Sequence, residues 1–379
     1  MTYEPKADRL DLSGLASGEF LPLGHISQGA ITERFIHAGH SLFPGSARGG
    51  SNLYLSESRE LDVASIGVSG PLRPRSRDKL TRMRISVIGV PMNSAGTKGG
   101  VAGAPEALRE AGLLERLTVS DVRDEGDVRF EAPSPERDPA SGLIAPRAIA
   151  SMFTGVEKTV RDAIVAGRFP LVLGGDCPLL LGCLAGARSA TGRSVGLLFV
   201  DGHEDAWPPL ASTTGEAADM ELGLALGRNT ASLPPMLTDR LPLVETQEVV
   251  VLGARDLREL DGAGVGSIGD RIELHDDEAV RVAGPGLLAR SSAQRLHQQA
   301  GTWWLHVDLD VLSTAEFPAV DYPQPGGLSW SELRELTEAA ISVAGLAGWD
   351  VTIYNPDLDT GGTNAGRIVD YVAACLATD

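Results

Sequence analysis

Three apolar runs, each ending in acids or a thiol, constrain this chain more than any other feature. Leu197–Asp205 reads LLFVDGHED, Trp303–Asp310 reads WWLHVDLD and Pro170–Cys177 reads PLVLGGDC. Short continuous apolar runs of this kind suit strands buried on both faces of a parallel sheet. Side chains two apart on an extended segment point the same way, so Asp201, His203 and Asp205 can converge on one point. Asp308 and Asp310 have the same spacing. Open α/β sheets place their chemistry at the C-terminal ends of strands. Carboxylates buried close together cost many kcal/mol unless a cation neutralises them. Carboxylates with an imidazole suit a divalent metal. A solvated acidic loop would explain any one of these runs alone, but three together point to a shared metal cluster.

The rest of the chain alternates helix and strand. Arg84–Val90 is strand-like and leads into the glycine-rich loop MNSAGTKGG, after which Ala104-Pro105-Glu106 opens a helix. Val156, Val160, Ala163 and Ile164 mark one helical face, with Gly167 as its C-terminal cap. Further strands are expected at Glu248–Leu252 and Asp350–Tyr354. Ser329 and Glu332 have the spacing of a capping box ahead of a helix that buries Leu333, Leu336, Ala340 and Val343. Ile368, Val369, Val372 and Leu376 mark the last helix. This alternation predicts a parallel sheet flanked by helices. Residues from about 124 to 145 are rich in Asp, Glu, Pro and Arg and read as a surface loop. Gly264, Gly266 and Gly269 satisfy GxGxxG, but they lie well beyond the preceding strand and read as a loop rather than a dinucleotide site.

Composition narrows the partners. With 379 residues, 42% of them hydrophobic, the chain can bury a large core. A net charge of −18 argues against nucleic acid and anionic membranes as general partners and fits a soluble protein. No apolar run approaches the roughly 20 residues of a membrane helix. Cys177, Cys183 and Cys375 form no disulfide framework, which fits a reducing, cytoplasmic setting. Residues 1–82 lack a clear period and end in the basic, proline-broken stretch RPRSRDKLTR. They read either as an N-terminal extension or as an upstream segment mis-called ahead of a natural start at Met83. His25, His37 and His40 within them read as surface histidines rather than ligands.

The order GGDC, DGHED, then HVDLD followed by PQPGGLSW resembles the ureohydrolase family, which includes arginase, agmatinase, guanidinobutyrase and formiminoglutamase. VIGVPMNSAGTKGGVAGAPEALREAGLLERL, VLGARD and WDVTIYNPDLD extend the resemblance over residues 83–379. It implies a three-layer α/β/α domain around a mostly parallel, roughly eight-stranded sheet. It also implies a homo-oligomer, trimeric or hexameric, and two metal sites with shared ligands. One metal would see Cys177, Asp201, Asp205 and Asp308; the other would see Asp201, His203, Asp308 and Asp310. A hydroxide between two cations would attack a planar carbon bearing nitrogen, with Asp205 orienting it and moving its proton. The metal implied is manganese, with Zn2+ or Ni2+ open because of Cys177.

The departures from the family pattern bear on chemistry. Cys177 stands where the family has a histidine ligand; it is either a soft thiolate ligand or a buried thiol. Ile353 stands where arginases and agmatinases have the glutamate that pairs with the guanidinium. Ala218 sits near the family's proton-shuttling histidine; Glu216 or Asp219 is the candidate replacement, or both are merely helix-start acids. Arg258 falls near a position that holds the amino-acid end of arginine, and would either favour an anionic substrate or sit in solvent. His306, two residues before Asp308, is either a proton carrier or a satisfied core histidine. Asp321 and Tyr322 replace small residues and could reshape the pocket. The expected activity is therefore metal-dependent hydrolysis of a linear C–N bond in a guanidine, hydroxyguanidine, formimino compound or small amide, rather than standard arginase activity. The alternative is a non-catalytic protein of the same fold, acting as a binding or regulatory subunit.

Overall fold

The computed structural model describes residues 83–119 and 121–377. The basic stretch before Met83 and His25, His37 and His40 lie outside the described residues.

Eight strands form one sheet: β1 (Arg84–Val90), β2 (Asp121–Asp127), β3 (Phe169–Gly174), β4 (Gly196–Val200), β5 (Val249–Gly253), β6 (Glu273–Asp276), β7 (Trp303–Asp308) and β8 (Leu346–Thr352). Their order across the sheet is β2-β1-β3-β8-β7-β4-β5-β6, and every pairing is parallel. Because both faces are covered, alternate residues of one strand enter different cores. Leu171 and Leu173, Leu198 and Val200, and Leu305 and Val307 pack on one side with Leu296, Leu333, Leu336, Ile368 and Val372 of helices Pro285–Ala300, Trp330–Ile341 and Thr363–Leu376. Val172, Leu197, Phe199 and Trp304 pack on the other with Phe153, Val156, Leu180 and Leu184 of helices Pro146–Val165 and Leu179–Thr191. The three-layer α/β/α reading holds.

The helix boundaries follow local chemistry. Ser329 accepts the Glu332 N–H and Glu332 reaches back to the Ser329 N–H, the reciprocal capping expected from the spacing. Gly167 adopts φ 70° beyond the helix Pro146–Val165, with the Arg168 N–H on the Ala163 carbonyl and the Gly167 N–H on Ile164. Gly264, first of the decoy glycines, ends the helix Leu257–Ala263 in the same left-handed way.

Three strand expectations need correcting. β2 begins inside the charged stretch before the expected surface loop and extends into it. It is an edge strand paired only with β1, so its side chains can stay charged. β6, the other edge, was not anticipated and is only four residues long. β8 starts earlier than expected, at Leu346, and it stops at Thr352 because Ile353 turns to φ 68°, outside the extended region.

Candidate metal centre

Adjacent strands β3, β8, β7 and β4 bring the three ligand-bearing ends together at the C-terminal edge of the sheet. The register places His306 between Phe199 and Asp350, and Asp308 opposite Thr352. The GGDC turn requires glycine at 175, where a Cβ would lie 2.1 Å from the Met92 carbonyl oxygen. Asp176 then accepts the Ser94 N–H at 2.6 Å and is fixed beside the glycine-rich loop. Gly202 has a similar role in DGHED: a Cβ there would meet the Arg255 guanidinium and Asp310. Its N–H donates to Asp310 Oδ1 at 3.0 Å, tying the β4 and β7 ends together.

All six sequence-predicted ligands gather here. Asp201 is fully buried; its Oδ1 accepts the His203 N–H at 2.7 Å and its Oδ2 has no hydrogen-bond partner among the described residues. His203 Nδ1 lies 2.9 Å from Asp310 Oδ2. Cys177 Sγ contacts Asp308 Oδ2 at 2.8 Å and Thr352 Oγ1 at 3.1 Å. Asp205 is buried at φ 41°, a left-handed conformation that Asp tolerates better than most residues. Two groups of donors lie within 4.8 Å of one another: Asp201, His203 and Asp310; and Cys177, Asp201, Glu221 and His306. Asp201 belongs to both.

Glu221 and Asp350 were missed by sequence reasoning. The chain leaves β4, loops outward and returns, held by Trp207 N–H to the Asp219 carbonyl and Gly223 N–H to the Asp205 carbonyl. That return buries Glu221 completely, with no hydrogen-bond donor on either carboxylate oxygen among the described residues. Asp205 beside it can lend a proton only when neutral. The one available signal was an acid inside the otherwise apolar run MELGLAL. Asp350, likewise an acid in a buried strand, accepts His306 Nδ1 and Trp304 Nε1, both at 2.5 Å. His306 stacks on Phe199 with ring centroids 4.7 Å apart.

The electrostatics ask for a cation. Burial, and then neighbouring acids, push the pKa values of Cys177, Asp205, Glu221 and Asp308 well up, favouring their neutral forms. Burial opposes charge on Asp201 as well, but His203 and His306 hold its carboxyl well below the usual range. Burial also opposes protonation of His203 and His306; Asp310 and Asp201 beside one, and Asp350 and Asp201 beside the other, raise both. A divalent cation reverses this preference for neutral acids and displaces the imidazole protons. The unpartnered Asp201 Oδ2, Glu221 oxygens and His306 Nε2 are the atoms it would satisfy.

Above the cluster is a cavity of about 270 Å³. His203, Asp205, Asp308 and Asp310 line it; Cys177, Asp201, Glu221 and His306 lie outside its lining. Its upper wall includes Glu216, Asp219, Asp256 and Tyr322, and Ile353 reaches it from the β8 end. Glu216 accepts the Tyr322 O–H at 2.8 Å, and burial raises its pKa above the usual carboxylate value. Burial lifts Asp219 and Asp256 to about 6. Among the described residues, no lysine or arginine lines the cavity. Arg258 is exposed and not part of the lining, so the anionic-substrate reading loses its support.

A family model described as the arginase family matches residues 83–377. Arginase-1 of Oryctolagus cuniculus is 30% identical over 295 residues, covering 76% of this chain and 90% of that protein. Arginase of Bacillus caldovelox is 30% identical over 278 residues, covering 73% of this chain and 92% of that protein. A solved structure of the Bacillus caldovelox arginase matches with a TM-score of 0.68 at 26% identity, covering 78% of this chain and 98% of the other. Formimidoylglutamase of Bacillus subtilis shares the fold, with a TM-score of 0.60 at 18% identity, over 78% of this chain and 87% of the other.

Proposed function

This chain belongs to the arginase family, and from that premise we propose that it is a metal-dependent hydrolase of a linear C–N bond in a small amidino compound. One observation carries the reading. Buried acids from β4 and β7 form the floor of a cavity whose titratable walls are acidic, beside unpartnered Asp201 Oδ2. A cluster of that composition suits divalent cations below and a cationic substrate above.

Asp201, His203, Asp205, Asp308 and Asp310 would hold the metal, with Cys177 behind them. Bound divalent cations would supply Lewis acidity and a water acidic enough to act near neutral pH. The remaining steps belong to the chain's own side chains. Asp205 faces the cavity and, with its acidity lowered by burial, can take a proton and return it to the departing nitrogen. Glu216, fixed by Tyr322, reaches the same space and supports the polar end of the substrate. His306 is fully buried and outside the cavity lining, so its service is to the metal cluster rather than to the substrate.

Ile353 sets the substrate apart from arginine. It presents an apolar side chain to the cavity, at the position where the family pattern has the glutamate that pairs with the guanidinium. A substituted guanidine, a hydroxyguanidine or a formimino compound fits this wall better than a bare guanidinium. The metal proposed is manganese, or zinc or nickel if the thiolate dominates, and the assembly a homo-oligomer of three or six copies.

The test is a screen of linear guanidines, hydroxyguanidines, formimino compounds and small amides with chelator-stripped protein reloaded with manganese, zinc or nickel. Release of the amine with its co-product (urea, hydroxyurea, formamide or a carboxylate, according to substrate) that appears only on reloading, and that falls at least 1,000-fold in Asp308→Asn, is the expected result, on the order of 4 kcal/mol of barrier. A fully loaded chain that cleaves none of these classes refutes the reading.

A further inference from the structure

We propose that Cys177, Asp201, Glu221 and His306 form a closed inner metal site of sulfur, nitrogen and oxygen donors, beneath the cavity and distinct in character from its carboxylate floor. The inference rests on the metal centre proposed above and reassigns its inner half. Asp205 and Asp308 face the cavity, whereas none of the inner four lines it.

Each donor is prepared for that role. His306 Nδ1 is engaged by Asp350 at 2.5 Å, so the Nε2 lone pair is the free one. Nε2 is buried without a hydrogen-bond partner among the described residues and stands 3.7 Å from Asp201 Oδ2, which is also unpartnered. Glu221 is fully buried and neither of its oxygens has a hydrogen-bond partner among the described residues. Cys177 Sγ completes the set, and the four donor atoms lie within 4.8 Å of one another. A tetrahedral ion with bonds of about 2.0–2.3 Å holds its ligands roughly 3.3–3.8 Å apart, so a small contraction closes the site.

The donor types select the ion. A thiolate and an imidazole with two carboxylates favour zinc, or cobalt as its probe, over manganese. The imidazole that the family pattern places at position 177 is thus supplied from position 306, and the turn that carries Glu221 brings the fourth ligand. Asp201 spans the two halves: Oδ2 faces His306 and Oδ1 faces His203. Four protein ligands with no face on the cavity describe a structural ion, not one open to substrate.

The experiment uses the full chain, stripped with chelator and reloaded with zinc or cobalt. X-ray absorption at the zinc edge should show one sulfur neighbour and imidazole scattering in the wild-type protein. The cobalt form should show a thiolate-to-cobalt charge-transfer band that disappears in Cys177→Ser. Glu221→Gln and His306→Gln should each weaken zinc retention at least 10-fold, with far-ultraviolet circular dichroism unchanged. A zinc shell of oxygen and nitrogen alone overturns the inference, and so does unchanged zinc retention in both variants. The wild-type absorption spectrum decides the matter even if a variant misfolds. A sulfur-containing shell without amidine hydrolysis would leave this site standing and sink only the catalytic reading. Hydrolysis with an oxygen–nitrogen shell would do the reverse.

Discussion

Asp350→Asn isolates the positioning of His306. Asp350 is fully buried and accepts two hydrogen bonds, from Trp304 Nε1 and His306 Nδ1, each at 2.5 Å. An amide offers one oxygen where the carboxylate offers two. If that oxygen keeps the indole, the new NH2 faces His306 Nδ1, forces it to accept, and moves the ring proton to Nε2. If the oxygen keeps His306, two donors face each other at Trp304. Losing one charge-assisted bond costs about 1.5–3 kcal/mol, and leaving a buried donor unmet costs about 1–3 kcal/mol more. We therefore expect the metal-free variant to unfold about 3–5 kcal/mol more easily, read from urea curves of unchanged slope. Zinc affinity should fall about 10–100-fold because Nε2 is no longer a ready ligand. Destabilisation under 1 kcal/mol, with zinc affinity within twofold of wild type, would refute the coupling between Asp350 and His306.

Three other predictions follow from single positions. Burial holds Asp256 at about 6 in the folded chain against an ordinary 3.8, so the folded state binds its proton more tightly than the unfolded state. Its ionisation therefore costs stability as pH rises from about 4 through 6, by up to about 3 kcal/mol. Asp256→Asn should remove that loss: urea midpoints of variant and wild type should converge at pH 4 and separate in the variant's favour above pH 6. Ile353→Glu would place a carboxylate on the cavity wall, and kcat/KM for a plain guanidinium substrate should rise at least 10-fold, about 1.4 kcal/mol; steady-state assays that show no gain would exclude this wall as the recognition element. Cys177→His would replace the soft donor, and after loading with equal manganese and zinc the bound ratio should shift toward manganese by elemental analysis. An unchanged ratio would mean that position 177 does not touch the ion.

The strand ends were legible because their signal is local. A buried parallel strand needs a continuous apolar run, and a ligand at its end needs an acid or histidine at alternate positions. Asp201, His203, Asp308 and Asp310 satisfy both within one segment, and their order along the chain carried the family resemblance. The edge strands β2 and β6 were not legible in this way. Each has a neighbour on one side only, so charge at Asp121–Asp127 and brevity at Glu273–Asp276 conceal them.

The sequence alone determined the α/β class and the covered parallel sheet, set candidate ligands at three strand ends and put an isoleucine at position 353, where the family pattern has a glutamate. Tertiary structure alone decided which donors face each other. Glu221 reads as one acid among several until the loop after β4 returns and removes it from water. His306 reads as either a proton carrier or a core histidine until β8 sets Asp350 against Nδ1 and leaves Nε2 free. Arg258 reads as either a pocket cation or a solvated arginine until the helix that carries it turns it outward. The physical reason is the same in each case. Apolar periodicity is a property of one segment, whereas desolvation and pairing of a charge depend on segments far apart in the chain, and only the closed fold sets those distances.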